Sequence, residues 1–474
     1  MKNLFLFSAI ILSLAFINCS PKNNISKSTE ASLPLAFPGA EGFGKYTTGG
    51  RGGKVLIVSN LNDEGPGSFR KAVTAKYKRI IVFAVSGTIH LEKKINIAGD
   101  CTIAGQSAPG DGICIADRNV SLGGNNIIVR YLRFRMGDKY ANEGLIDGAG
   151  GDDAFGGTRR NNIIVDHCSM SWSEDEVFSV YAGDSTTLQW NMISEPLNYS
   201  YHFETGDKDF EHHGYGAIWG GKNFTACYNL FAHCNSRNPR FDGIRNASIE
   251  NVDYRNNVIY NWGSNSIYAG EGGMYNIVYN YFKYGPSTND KVKDRIVNPY
   301  KRDKPFIPFG KFYVAGNYVD GYPDVTKDNS LGVEMGNKGT AADKKEALAN
   351  MAFPSVVIPS MSAEESYNAV LKNAGASFKR DTLDERIVND VKNRTGGFID
   401  VQGGFPHGTA YAATINAWPA LQSSPALQDT DKDGMPDDWE KKNGLNPNDA
   451  ADAVTYTLNK QYTNIEVYLN NILK

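Results

Sequence analysis

Seven short runs in the middle of the chain can be written one beneath another: VRYLRFR, VDHCSMS, LQWNMIS, ACYNLFA, YRNNVIY, IVYNYFK and VAGNYVD. Their fourth column holds Leu132, Cys168, Asn191, Asn229, Asn257, Asn280 and Asn317, at intervals of 36, 23, 38, 28, 23 and 37 residues. One strand signature per irregular period marks a solenoid, whose repeats bury their apolar faces only against their neighbours. An interval of 23 fits one coil of a parallel β-helix with short turns, and the longer intervals predict coils with inserted loops. A buried amide without partners is costly. Asparagines stacked in one column therefore predict a ladder in which each side chain satisfies the next. A sandwich or propeller is the competing all-β reading. Its strands more often alternate polar and apolar residues across hairpin turns, and the DG pairs here do not join two such runs.

The 474 residues suffice for a large core plus a small appended unit. A net charge of -3 argues against a general nucleic-acid binder and against an acidic disordered chain. Residues 1–19 read as an export signal: Lys2 supplies the charge and Leu4 to Ile17 is almost wholly apolar, too short for a convincing membrane span. Phe16 to Cys19 resemble a bacterial lipoprotein box, with Asn18 where a small residue is usual. A lipid anchor on Cys19 would give an outer-membrane lipoprotein in the periplasm or at the cell surface; ordinary cleavage would give a secreted protein. Residues 20–36 form a tether, and a monomer is expected. Of the six cysteines, Cys101, Cys114, Cys168 and Cys227 lie in apolar, strand-like contexts and read as buried free thiols. The glycine-rich GGRGG precedes a strand rather than a helix, and neither GKS nor GKT occurs, which dismisses a phosphate loop.

Residues 37–325 are assigned to the β-helix. Within them Arg237 and Arg240, with Pro239 between, follow a strand-like run and would present two guanidinium groups to an anionic ligand; the plain alternative is surface ion pairing. Residues 326–425 form a helical and irregular extension. Its runs Ser362–Ala376 and Asp381–Gly396 have helical apolar spacing with Ser and Asp caps, and should pack on the solenoid or cover its end. In residues 426–474, Asp429, Asp431, Asp433, Gly434, Asp437 and Glu440 fall on positions 1, 3, 5, 6, 9 and 12 of an EF-hand-like calcium loop, with the Met435 carbonyl at 7. The alternative is an acidic surface turn. This unit should bear on stability rather than chemistry.

The blocks FPGAEGFG, TTGGRGGKV, GPGSFR, VSGTIHL, TIAGQSAPGDGICI, IIVRYLRFRMGD, VDHCSMSW and NSRNPRF, spread over about Phe37 to Pro323, resemble the pectate lyases of polysaccharide lyase family one. The likeness is to the form common among gut and environmental Bacteroidetes, and DTDKDGMPDDWE resembles an extension seen in such enzymes. The resemblance implies a right-handed parallel β-helix that cleaves α-1,4-linked polygalacturonate and pectin oligosaccharides by β-elimination. A base takes the proton from carbon five of a uronate, and the glycosidic oxygen leaves from carbon four. Calcium (Ca2+) and basic side chains stabilise the charge that develops on the carboxylate. By the RxP motif Arg237 is similar to the catalytic arginine. A guanidinium holds its proton to pH values above about 12, so such a base needs help from desolvation and neighbouring cations.

Asp242 stands where the family has a second arginine, and Arg240 or Arg245 is the candidate for its substrate contact. For calcium, Asp153 and Asp175 match two family carboxylates, Gly151 and Ser179 replace two others, and Asp152 and Glu176 are nearby substitutes. His213 or Lys222 would replace a substrate-binding lysine. Asp166 and His167 of the VDH block read as a buried scaffold pair. Two further readings are a β-helical glycoside hydrolase using Asp152, Asp153 or Asp175, and a non-catalytic surface pectin binder.

Overall fold

Short β-branched runs of three to five residues bury both faces only if further strands stack on them, and the computed structural model stacks them in parallel coils. It describes residue 1, residues 33–359 and residues 361–474; the export signal and most of the tether lie outside these. Sheet one runs from Lys54–Val58 to Lys311–Ala315, sheet two has nine strands from Gly87–His90 to Tyr318–Val319, and sheet three runs from Ile95–Ile97 to Val297–Pro299. Neighbouring strands are parallel throughout, as in Ile163↔Thr186, Thr186↔Phe224 and Phe224↔Val252. The result is a parallel β-helix, built from crossovers of the kind that are right-handed in nearly all proteins. Phe178–Gln189 is long enough to serve sheets three and one in turn.

The corner from sheet one to sheet two is one residue long at Tyr131 and two residues long in the coils from His167 on. Its first residue has left-handed backbone at Tyr131, His167, Trp190, Tyr228, Asn256 and Tyr279, with φ between 51° and 61°. That conformation is unfavourable for residues other than glycine, and two stacks offset it. Outside, the rings of Tyr131, His167, Trp190 and Tyr228 follow one another at centroid distances of 4.7, 5.8 and 4.3 Å. Inside, the second corner residue is the predicted column. Nδ2 of Asn191, Asn229, Asn257 and Asn280 donates to Oδ1 of Asn229, Asn257, Asn280 and Asn317 at 3.0, 2.9, 3.1 and 2.9 Å. Each Oδ1 also accepts the preceding rung's backbone N–H. Asn329, from outside the strand pattern, ends the ladder by accepting from Asn317 at 3.0 Å.

Aromatic stacks fill the interior, Phe134 on Phe155 on Phe178 and Phe241 on Tyr275 on Phe312. The five cysteines from Cys101 to Cys234 are buried and free. Asp166 is buried and ties three coils, accepting from Arg130 Nε, Gln189 Nε2 and His167 Nδ1, each at 2.8 Å. Burial opposes its charge, but the charges of His167 and Arg130 outweigh this and hold the carboxyl below the usual aspartate range.

Beyond the coils, Pro34–Lys474 remain one compact unit. The helices Ala363–Asn373 and Thr382–Asn393, capped by Ser362 and Asp381, lie on the outer face of sheet two rather than over an end. Val370, Leu371, Ile387 and Val388 meet Met192, Leu230 and Val258, and Asp381 and Asp384 pair with buried Arg135. The final segment crosses back to sheet one, where Met435, Ala453, Ile465 and Leu469 cover Ile80, Val82 and Ala104, fastened by Arg51 and Glu466 at 2.8 Å. The intervals of 36 and 38 residues hold loops over 136–153 and 195–217. The two loops bond to each other, Gly148 N–H to Phe203 O and Phe203 N–H to Ala149 O, both at 3.0 Å.

Replacing Asn257 by Ala strands the Asn229 donors and is expected to destabilise the protein by about 3 kcal/mol; a urea-denaturation loss within error of zero would sink the ladder's role. Asp166→Asn is expected to cost about 3 kcal/mol at pH 7. Because the native carboxyl is depressed, its stabilisation is present above the ordinary value of 3.8 and is lost as pH falls through the native value. The gap between variant and parent should therefore close in acid, and a pH-independent gap would count against the pairing.

Candidate active site

Residues just before the strands of sheet three stand in a row along the solenoid, one per coil, about 4.8 Å apart. Asp153 precedes Phe155–Thr158, Asp175 and Glu176 precede Phe178–Gln189, Tyr215 precedes Ile218–Gly221, and Arg237 precedes Arg240–Phe241. The two bonded loops wall this row on one side.

Asp153, Asp175 and Glu176 can each turn one oxygen to within 4.8 Å of the others. Arg237 meets them from the far coil: its Nη1 pairs with Glu176 Oε1 and lies 3.8 Å from Asp175 Oδ1, and its guanidinium lies 4.0 Å from the centre of the Tyr215 ring. The Arg237 backbone is left-handed, with φ of 61°, so the side chain leaves the coil before the strand begins and is 21% exposed. Burial, and next the Asp175 charge, push the Asp153 carboxyl well up, with Arg237 opposing. Burial would also raise Asp175, but the His213 hydrogen bond and charge and then Arg237 outweigh it, and Asp175 is held below its ordinary value. Three hard oxygens with a guanidinium beside them suit a cation such as calcium together with a carboxylate ligand.

His213 joins this cluster. Its Nε2 is 2.7 Å from Asp175 Oδ1 and its Nδ1 is 3.0 Å from Glu211 Oε2. His202 stacks on it at 3.8 Å and also faces Glu211. His202, Glu211 and Tyr215 escaped the sequence reading; only Tyr215, in HHGYG, carried any signal, through its place next to the histidines.

Other candidates stand apart. Asp152 turns its carboxylate to Lys94 at 2.6 Å. Arg240 lies on the outer face of sheet three, level with Ile218 and Tyr268, and pairs with Glu271 at 2.8 Å. Arg245 binds buried Asp242 at 3.1 Å and is 4.0 Å from Glu271, so Glu271 is the acid that the two arginines share. Lys222 follows the strand Ile218–Gly221, at the end away from the acids, where it is 57% exposed and pairs with Asp184.

In the final segment Asp429, Asp431 and Asp433 converge, and Asp433 and Glu440 converge with Asp452. Asp452 lies beyond the twelve-residue pattern and could not be read from it. Asp437 is turned away, accepting from Thr430 N–H and Oγ1–H at 2.8 and 2.7 Å at the start of its helix. Asp433 and Glu440 are 2% and 0% exposed. Both oxygens of Glu440 and of Asp431, and one each of Asp433 and Asp452, are buried without a hydrogen-bond partner. Burial first, and the crowded carboxylates next, push Asp433 to about 8 and Glu440 to about 7. Orphaned acceptors in this number fit a divalent cation.

No family model matches the chain. It is 35% identical over 449 residues to "Probable pectate lyase C" of Aspergillus fumigatus, covering 93% of this chain and 94% of that protein. It is 36% identical over 448 residues to the protein of the same name from Neosartorya fischeri, with 93% and 94% covered. A solved "Pectate lyase bound to hexasaccharide" is 12% identical with a TM-score of 0.48, covering 72% of this chain and 98% of that one. With full-length relatives at this identity, the chain belongs to the pectate lyase family and is a polysaccharide lyase.

Proposed function

We propose that this lyase cleaves α-1,4-linked polygalacturonate by β-elimination, with Arg237 as the base. The observation that carries the reading is the meeting of Arg237 with Asp153, Asp175 and Glu176 across neighbouring coils. These three acids would hold calcium, which when bound supplies positive charge to the uronate carboxylate and neutralises the acids. Arg237 then faces carbon five. In its neutral form, with its own proton given up to solvent, the guanidine nitrogen would take the carbon-five proton, the electron pair forms the bond between carbons four and five, and the glycosidic oxygen leaves carbon four and takes a proton from water. Tyr215 supports the guanidinium face. His213, with both ring nitrogens engaged by Asp175 and Glu211, orients the Asp175 carboxylate. Arg240 and Arg245, paired with Glu271 and Asp242, lie outside this arrangement.

A second calcium would be structural, and Asp429, Asp431, Asp433, Glu440 and Asp452, but not Asp437, would hold it. Placement in family one, in the Bacteroidetes form with this C-terminal loop, rests on the sequence blocks and on that ligand set. Export, with or without a lipid anchor at Cys19, rests on the apolar N-terminal run.

With polygalacturonate and calcium the protein is expected to generate the ultraviolet absorbance of an unsaturated uronate, and Arg237→Lys is expected to lower that rate at least ~100-fold. New reducing ends without absorbance would point to a hydrolase, and an unimpaired lysine variant would remove Arg237 as base. For the structural site, chelation should lower the melting temperature of the parent, and calcium at about a hundred times its dissociation constant should restore about 2.7 kcal/mol. Glu440→Gln should blunt this calcium response and Asp437→Asn should leave it. The reverse order would reject the ligand set.

A further inference from the structure

The row of residues before sheet three continues away from Arg237. Arg118 precedes Val120–Leu122 and Lys94 precedes Ile95–Ile97, and both line a cavity of about 190 Å³ together with Tyr140, Gly150, Asp152 and Glu174. Most charges here are already matched. Lys94 pairs with Asp152 at 2.6 Å, and buried Asp117 is engaged by Lys139, His90 and the Tyr411 hydroxyl. Glu143 stands exposed at the rim.

Arg118 differs from these. Its guanidinium lies 3.6 Å from the centre of the Tyr140 ring, its Nε donates to Glu92 O at 3.2 Å, and among the described residues no carboxylate pairs with it. A planar guanidinium laid on a ring, with its outer nitrogens free, is set to receive a carboxylate through two parallel hydrogen bonds. The wall opposite offers a second group. Glu174 is 0% exposed; its Oε2 accepts from the Ser200 hydroxyl and from Tyr201 N–H, while its buried Oε1 has no partner.

We propose that this cavity is a distal subsite for the carboxylate of an anionic sugar, anchored by Arg118 on Tyr140, on the same polysaccharide chain that reaches Arg237. It rests on the polygalacturonate reading. Four coil steps separate the Arg118 strand from the Arg237 strand, through the strands at 155, 178 and 218, which is about 19 Å at the spacing of parallel strands. A trisaccharide seated at Arg237 falls short of that span, whereas a longer oligomer covers it.

The test uses the full chain with tri- and hexagalacturonate, read both by calorimetric binding and by ultraviolet product. For Arg118→Gln the hexamer dissociation constant and KM are expected to rise about tenfold, the worth of one charged hydrogen-bonded contact, with kcat changing far less. The penalty for the trimer should be several-fold smaller. Arg118→Lys, which keeps the charge without the fork, should recover part of the loss. Equal penalties on both oligomers, or none on either, would overturn the subsite, as would a variant whose melting temperature has collapsed while Tyr140→Ala binds hexamer normally. Chain-length-dependent binding without ultraviolet product would uphold the subsite and reject the elimination chemistry.

Discussion

A buried amide that must bond its neighbour above and below permits only one vertical alignment of the coils. Asn191 to Asn329 supply that constraint through the chain's central and C-terminal coils, and Asp166 with Arg130 and Gln189 carries it on toward the N-terminal side. Once the corners are fixed, every other position in a coil is fixed relative to its counterparts, since parallel pairing has no tolerance for a one-residue slip without turning side chains inside out. The row of Asp153, Glu176 and Tyr215 is a consequence of this alignment, with Asp175 and Arg237 one residue to either side of it.

Such alignment brings like charges together, and most of the neighbours of the acids serve to manage that. Asp153 and Asp175 cannot both ionise freely so close together, and their carboxyls are driven in opposite directions, one up and one down. His213 and Arg237 set which goes which way. The same logic appears without any cationic partner in the final segment, where Asp433 and Glu440 are both pushed up. A cation would relieve both places, and buried acceptors without a hydrogen bond are more numerous in the second.

Much of this was legible in the chain before folding. The asparagine column announced the solenoid because its signal is periodic and local, and Ser362 and Asp381 announced their helices because caps act within one turn. Arg237 and the neighbouring acids were legible through motif likeness. What failed to show was anything decided by direction or by distant contact. Asp152 and Asp153 are adjacent in sequence yet face different partners, Asp437 fits a spacing rule but is claimed by Thr430, and Asp452 enters its cluster from outside any pattern. Asn329 closes the ladder from a helical turn with no strand signature. His202 and Glu211 sit in an inserted loop, whose path is set by its bonds to another loop and not by periodicity.

The way the final segment lies over sheet one has a temporal meaning. Val55, Ile57, Ile80 and Val82 belong to the first coils to be synthesised, yet Met435, Ile465 and Leu469, which cover them, emerge more than 350 residues later. Throughout synthesis the oldest part of the solenoid carries an apolar strip with nothing on it, a state that invites association with other chains. The cover arrives only once residues 435–469 have emerged. Sealing of the strip over Ile80 and Val82 thus depends on residues that are far away in the chain and late to appear.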